Sequence, residues 1–265
     1  PFLILTAWSY KHQYTQTLYQ PERVKLNNEP KIAYFYYMKK IVILTGAGIS
    51  AESGLKTFRD SNGLWENHKI EDVATPYAWK SNPELVLDFY NKRRLQASKA
   101  FPNKAHLSLV ELEKYFDVTI ITQNVDNLHE RAGSTKVIHL HGELIKARSS
   151  GNPSLIYDID NNKIEIGDLC DEGHQLRPHI VWFGEEVPMM TSVIPFFQVA
   201  EIVIVIGTSL SVYPASGLID YASGADCYYI DPNGSKGMAN KNFKIIPLNA
   251  VKGVRELVEE LKKIV

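Results

Sequence analysis

The stretch that decides the fold is KKIVILT followed by GAGISAESGLKTFR, Lys39–Arg59. A run of aliphatic residues stops at Gly-x-Gly, the pattern of a buried strand whose end opens into a loop of bare backbone. Gly46 and Gly48 let N–H groups approach a pyrophosphate closely, although glycines after a strand also serve simply to make a tight turn. A dinucleotide fold built for hydride transfer carries a second strand, ending in Asp or Glu, about 20 residues past such a loop to hold the ribose. Here that region reads GLWENHKI, Gly63–Ile70, which is not such a strand. The loop points to a nucleotide but away from an ordinary dehydrogenase.

Working outward, strand-like runs alternate with helical patterns. IVILT, DVTIITQN, HIVWFG, EIVIVIGTS and DCYYID read as buried strands. SNPELVLDFYNKRRLQASK, NKAHLSLVELEKYF and VKGVRELVEELKKIV read as helices, the first capped by Ser81 with Pro83 in its first turn. The alternation predicts an α/β, Rossmann-like parallel sheet with helices on both faces. Residues 144–176 break the rhythm with short alternating stretches and turn residues, a small β-rich insertion. The expected domain spans 38–265: a core over about 38–66, 117–143 and 178–265, and a smaller lobe over about 67–116 and 144–177, made of a helical and a β-rich insertion.

Residues 1–37 show no sustained period and no methionine, and Met38 stands directly before the first strand. They read as a disordered arm or as residues outside the native protein, with translation beginning at Met38. The formal net charge of −1 offers no basic field, so no nucleic-acid partner is expected. No apolar run approaches a spanning helix, so no membrane association is expected either. Cys170 and Cys227 cannot make a disulfide framework, and free thiols suit the reducing cytoplasm, the expected location.

Three further segments carry chemistry. In ITQNVDNLHERAG, Gln123, Asn124 and Asp126 fall at a strand's C-terminal end, where open α/β sheets bind ligands. They suit ribose hydroxyls and a carboxamide, and equally the capping of the following turn. In HLHGE, His139 and His141 share strand spacing; two histidines are too few for a metal, a lone histidine is more often structural, and the one followed by Gly, His141, is the better candidate to take a hydroxyl proton near neutral pH. In IGTSLSVYPA, Gly207, Thr208 and Ser209 supply a small hydroxyl-bearing turn suited to phosphate or ribose.

Together, GAGISAESGLKTFR, TQNVDNLH, HLHGE, VWFGE and GTSLSVYPA resemble the sirtuin family of NAD-dependent protein lysine deacylases, in its order and separations, over about Lys39–Val265. The resemblance is to the bacterial and mitochondrial desuccinylase-like branch. It implies a loop of Gly46, Ala47, Gly48, Ser50, Phe58 and Arg59 around NAD, with Gln123, Asn124, Val125 and Asp126 on the nicotinamide side. Gly207, Thr208 and Ser209 would meet phosphate and ribose, and Asp231, Pro232, Asn233 and Ala250 the adenosine side. Asp231 is a departure, since the family more often has Asn there. His141 would be the general base, with Asn124 beside it in the catalytic set. NAD would be consumed, not reduced. The acyl-lysine oxygen displaces nicotinamide at C1′, His141 takes a ribose hydroxyl proton, and lysine and O-acyl-ADP-ribose leave. Val181, Trp182, Phe183 and Gly184, with Glu185, would form the edge that pairs with a substrate backbone.

Two details refine this. Tyr90 and Arg93 are spaced i, i+3 on one helix face, and the resemblance to members carrying Tyr-x-x-Arg implies succinyl- and malonyl-lysine alongside acetyl-lysine. An Arg fork beside a phenol suits a carboxylate, while a solvated surface pair is the plainer reading and Arg94 next door reads as an ordinary basic residue. Many sirtuins hold a structural zinc through two Cys pairs; here the first pair's place reads KARSSGNP, and Cys170 with His174 cannot complete a four-ligand site. Zinc is expected to be absent, and the protein to be a monomer acting on acylated-lysine proteins. A mono-ADP-ribosyltransferase and a non-catalytic NAD or ADP-ribose module are the alternatives, and a metal-dependent hydrolase lacks ligands.

Overall fold

The structure is a computed structural model that describes residues 37–56, 68–234 and 242–265, together with the backbone of a few two-residue strands. Residues Pro1–Tyr37 and Met38–Val265 are separate units. In the first, β1 (Lys25–Leu26) pairs antiparallel with β2 (Glu29–Pro30).

The second unit is built on six parallel strands. In chain order these include β3 (Lys40–Thr45) and, past the antiparallel pair β4 (Leu64–Trp65) and β5 (His68–Lys69), β6 (Asp117–Thr122) and β7 (Val137–His139). The antiparallel strands β8 (Gly142–Ser149), β9 (Ile156–Asp158) and β10 (Leu176–Ile180) follow, and β11 (Ile202–Ile206), β12 (Asp226–Ile230) and β13 (Phe243–Ile246) complete the parallel sheet. The sheet runs β13-β12-β11-β3-β6-β7. Alternation along β3 sends Ile41 and Ile43 to one face and Val42 and Leu44 to the other. Both faces are covered, which is why the strands read as continuous apolar runs. On the first lie α4 (Lys104–Leu112) and α7 (Ala250–Leu261); on the second lies α6 (Met190–Gln198) with the 3₁₀ turn Ala215–Tyr221. Each buried Ile or Leu contributes roughly 1.5–3 kcal/mol to holding them there.

The smaller lobe has the two expected parts. The helices α1 (Ile70–Val73), α2 (Pro76–Ser81) and α3 (Pro83–Lys99) bury Val86, Phe89 and Tyr90 against Leu144, Ile180 and Trp182 of the β-rich part. That part is the antiparallel sheet β10-β8-β9. Two expectations need correcting. The α3 cap is Asn82, whose side chain accepts from Leu85 N–H; Ser81 instead ends α2, because Pro83 fixes the helix start one residue later. HIVWFG is not a strand of the parallel sheet: β10 ends at Ile180, pairs with β8, and so carries the small sheet past residue 177. The turn at 181–185 follows it, beyond strand pairing.

Candidate active site

The parallel sheet reverses its winding direction between β3 and β11, with β6 on the other side of β3. Ligands of open α/β sheets bind outside the C-terminal strand ends at such a point. Three of the sequence-identified segments converge there. Gly46 N–H donates to the Ile206 carbonyl at 3.0 Å and Gly48 N–H to the Gly207 carbonyl at 2.8 Å, tying the end of β3 to the end of β11. A methyl group on Gly48 would sit 2.6 Å from Gly207 Cα, so the two turns cross with no room for a side chain. Residues 47–49 and 51–53 then wind as successive 3₁₀ turns. Phe58 and Arg59 lie outside the described residues.

Ser50, buried at the join of these turns, links the loop to the end of β6. Its hydroxyl donates to Asp126 Oδ2 at 3.2 Å and accepts from Asn124 Nδ2 at 3.2 Å. Asp126 Oδ1 accepts from Leu128 N–H, the turn-capping contact. Burial pushes the Asp126 carboxyl up, and the Leu128 and Ser50 hydrogen bonds hold it down, helped by His139 and Arg93. Gln123 donates to Thr208 Oγ1 at 3.2 Å, joining β6 to the Gly-Thr-Ser turn after β11. Tyr229 anchors that turn through its hydroxyl on the Thr208 carbonyl. Val125 binds the small lobe, its carbonyl accepting from Leu144 N–H.

His141 lies just past β7. Its Nδ1 meets the Gln123 carbonyl at 3.0 Å, so Nδ1 carries the proton and Nε2 is left as the basic nitrogen. Burial pulls the imidazole below the ordinary histidine range and keeps it neutral. Gly142 follows of necessity: its φ is +81°, and a Cβ there would lie 2.0 Å from the His179 carbonyl oxygen. Behind the site, Thr45 donates to Thr122 Oγ1, which also accepts from Asn124 N–H, while His129 Nε2 sits 3.1 Å from the Thr45 hydroxyl.

On the small-lobe side, Tyr90 is fully buried and its hydroxyl accepts from Trp182 Nε1 at 3.0 Å. Burial raises its pKa well above the usual phenol value, so it stays neutral. Half-buried Arg93 lies close enough to Tyr90 and to Asp126 to favour the ionised form of each. Arg94 is a correction. It is 1% exposed rather than a solvated charge, and its guanidinium donates to the Leu144 carbonyl and to Asn91, bracing α3 on β8. In the 181–185 turn the N–H groups of Val181, Trp182, Phe183 and Glu185 bond to His141, Glu185, Ala74 and Trp182. Arg177 lies 3.2 Å above the Trp182 ring and forms an ion pair with Glu185 at 2.7 Å, and Arg148 joins the same carboxylate. Gly184 lies in the same turn.

The remaining residues sit farther along the sheet. Asp231 is buried at the end of β12, its carboxylate accepting from Asn233 N–H at 2.9 Å with Pro232 between them. Buried Ala250 is the first residue of α7, and Glu52 of the glycine loop accepts from Val251 N–H beside it. Ser209 lies half-buried after Thr208. In the β-rich insertion Cys170 donates to Ser149 Oγ at 3.2 Å, and the same oxygen accepts from Gly151 and Asn152 N–H. Among the described residues no group of three or more His, Cys, Asp or Glu could hold a metal, and no helix is long and apolar enough to cross a membrane. Sequence reading missed the Thr45–Thr122–His129 chain and the Glu185–Arg177 pair, since neither has a local spacing signal.

A Sir2 family model matches residues 46–214. An NAD-dependent protein deacylase of Helicobacter pylori strain J99 is 53% identical over 225 residues, covering 84% of this chain and 96% of the relative. One from Bacteroides thetaiotaomicron is 49% identical over 233 residues, covering 86% and 98%. A crystal structure of a Sir2 homologue with NAD superposes with a TM-score of 0.77 at 38% identity, covering 86% of this chain and 91% of the other. A mutant Sir2 homologue bound to 2′-O-acetyl ADP ribose gives 0.77 at 37%, covering 86% and 93%.

Proposed function

The chain belongs to the Sir2 family, and from that premise we propose that it is an NAD-dependent protein lysine deacylase removing succinyl, malonyl and acetyl groups. The observation that carries this reading is the Ser50 hydroxyl, which gathers Asn124 and Asp126 into one polar cluster beside the crossed glycine turns. A Cβ-free cradle next to an amide and a carboxylate fits a dinucleotide whose ribose hydroxyls must be held.

In this reading NAD is a substrate that supplies an electrophilic ribose carbon on loss of nicotinamide. Gly46, Ala47 and Gly48 offer backbone to its phosphates together with Gly207, Thr208 and Ser209, while Asp231, Pro232, Asn233 and Ala250 serve its adenosine side. Asn124, Val125 and Asp126 orient the nicotinamide half with Gln123. Phe58 and Arg59 are assigned to NAD by the family resemblance alone. Neutral His141, with Nε2 unprotonated, accepts a proton from a ribose hydroxyl and so turns that oxygen into a nucleophile toward the acyl carbon. Val181, Trp182, Phe183 and Gly184 line the entry of the acyl-lysine stem. Their N–H groups are largely committed within the chain, so pairing with a substrate backbone falls mainly to carbonyls.

Arg93 and Tyr90 select acidic acyl groups. The guanidinium lies close enough to Asp126 to favour its ionised form, which supports an acyl end near the nicotinamide end of the dinucleotide cluster. The β-rich insertion needs no zinc, because Ser149, Cys170 and the Gly151–Asn152 turn satisfy one another. Cytoplasmic acyl-proteins are the partners, a setting that suits the reduced cysteines Cys170 and Cys227, and the enzyme acts as a monomer.

The test is incubation with NAD and succinyl- or acetyl-lysine peptide, followed by mass analysis. The expected products are free lysine peptide, nicotinamide and O-acyl-ADP-ribose. ADP-ribose attached to protein, faster than any deacylation, points instead to a transferase. No product with either peptide sinks the proposal.

A further inference from the structure

His139 is the first histidine of HLHGE, and the proposed chemistry does not use it. Its Nδ1 lies 2.9 Å from the Asn124 carbonyl and its Nε2 2.8 Å from Glu130 Oε1. Both partners are acceptors: a carbonyl oxygen has no proton to give, and a carboxylate none when ionised. Two good hydrogen bonds therefore require both ring nitrogens to carry hydrogen. His141 differs, since only its Nδ1 meets an acceptor, the neighbouring Gln123 carbonyl. Two imidazoles thus hold two consecutive carbonyls of one turn, one ring neutral and the other doubly protonated.

We propose that His139 is a positioning residue for NAD binding, an imidazolium clamped between Glu130 and the Asn124 carbonyl that fixes the Gln123–Asp126 turn. This rests on the reading of that turn as the dinucleotide site. The His139 side chain is only 7% exposed, so its charge is weakly screened, whereas Glu130 is 39% exposed. The pair lines a cavity of about 650 Å³ with Glu143, Lys146, Arg148 and His179.

The charges around the ring favour its protonation on balance. Glu130 on α5 (Leu128–Ala132) and Glu143 on β8 raise the pKa, burial opposes them, and the outcome is a shift upward from the ordinary value. Asp126 is held toward its ionised form by the same imidazolium, and His129 is pushed further toward neutrality by it. Lys146 faces Glu130 and favours its carboxylate, while Arg148 and His179 lie across the cavity. Because the folded pKa is raised, the clamp is complete below the ordinary histidine value and is lost as pH rises through the raised one. Above it, a ring lone pair faces the Glu130 carboxylate and the turn loosens.

Two measurements test this on the full chain. With ¹⁵N-histidine labelling and assignment by His139→Asn, His139 should show both ring nitrogens protonated near neutrality, with a midpoint above ~6.5, while His141 stays neutral. In steady state KM for NAD should rise as pH passes that midpoint, with kcat nearly flat. Glu130→Gln should raise KM for NAD roughly tenfold at neutral pH, the size of one charge-assisted hydrogen bond, and abolish the further alkaline rise; Glu130→Asp should restore both. A His139 midpoint at or below ~6.5, or the same alkaline rise in Glu130→Gln as in the wild type, overturns the inference. The NMR titration is read on the wild type and needs no turnover, so it decides even if a Glu130 variant fails to fold. Absent NAD-dependent turnover in the wild type defeats the functional reading instead.

Discussion

Gly48 and Gly207 meet backbone against backbone: Gly48 N–H donates to the Gly207 carbonyl at 2.8 Å, and a Cβ on Gly207 would lie 2.5 Å from Ile49 N. Gly207 also has φ +61°, so two independent constraints fix glycine there. Gly48→Ala and Gly207→Ala should each destabilise the fold by about 1–3 kcal/mol through overpacking. Where the protein still folds, the displaced loops should weaken NAD binding at least tenfold. Thermal melts and NAD titration of the two variants check this; wild-type NAD affinity in Gly48→Ala contradicts it.

Arg93→Met should remove the acidic-acyl preference. The half-buried guanidinium carries the charge recognition, whereas Tyr90 is fully buried and held by Trp182. kcat/KM for a succinyl-lysine peptide should fall by about 10²-fold, the worth of one charged hydrogen-bonded pair, while acetyl-lysine turnover changes by less than about threefold. Equal losses on both peptides would assign Arg93 to Asp126 and the dinucleotide rather than to the acyl group.

Metal chelation should leave the melting temperature unchanged, because Ser149 Oγ satisfies the Cys170 thiol and two backbone N–H groups. Ser149→Ala removes the buried acceptor of the Cys170 thiol and of two part-buried N–H groups and should cost about 1–3 kcal/mol. Stoichiometric zinc in purified protein, or a chelator-induced drop in melting temperature, contradicts a metal-free insertion.

The buried histidines give the fold an acid limit. Burial lowers His106 and His179 to about 4 and His129 well below the ordinary value. Their folded pKa values are depressed, so their stabilising effect is full above ~6.5, the unfolded value, and is lost as pH falls toward ~4. His139 acts with the opposite sign and keeps its contribution on the acid side. Melting temperature should therefore decline between pH 6.5 and 4, and His106→Gln should flatten part of that slope. A melting temperature independent of pH across this window contradicts the assignment of neutral buried imidazoles.

Four of the six parallel strands, β3, β6, β11 and β12, were legible because each is an apolar run that ends in a polar or glycine turn, whereas β7 and β13 are short and only partly buried. β3, β6 and β11 match the runs IVILT, DVTII and EIVIVI almost residue for residue. β10 was misplaced because its apolar content says it is buried but not which sheet it joins, and the register with β8 is a long-range fact. Arg94 misled for a similar reason. Its burial depends on the Leu144 carbonyl, 50 residues away, and no helical spacing marks it. Glu130 and His139 escaped pairing because the contact joins a helix to a neighbouring strand end.

The central claim is that nicotinamide leaves NAD only when an acyl-lysine is present to be freed. Its direct measurement is nicotinamide release with and without succinyl-lysine peptide, in the wild type and in His141→Ala. The account predicts release only with peptide, one nicotinamide for each lysine freed, and a loss of at least 10²-fold in His141→Ala. Equal release without peptide, or full deacylation by His141→Ala, contradicts it.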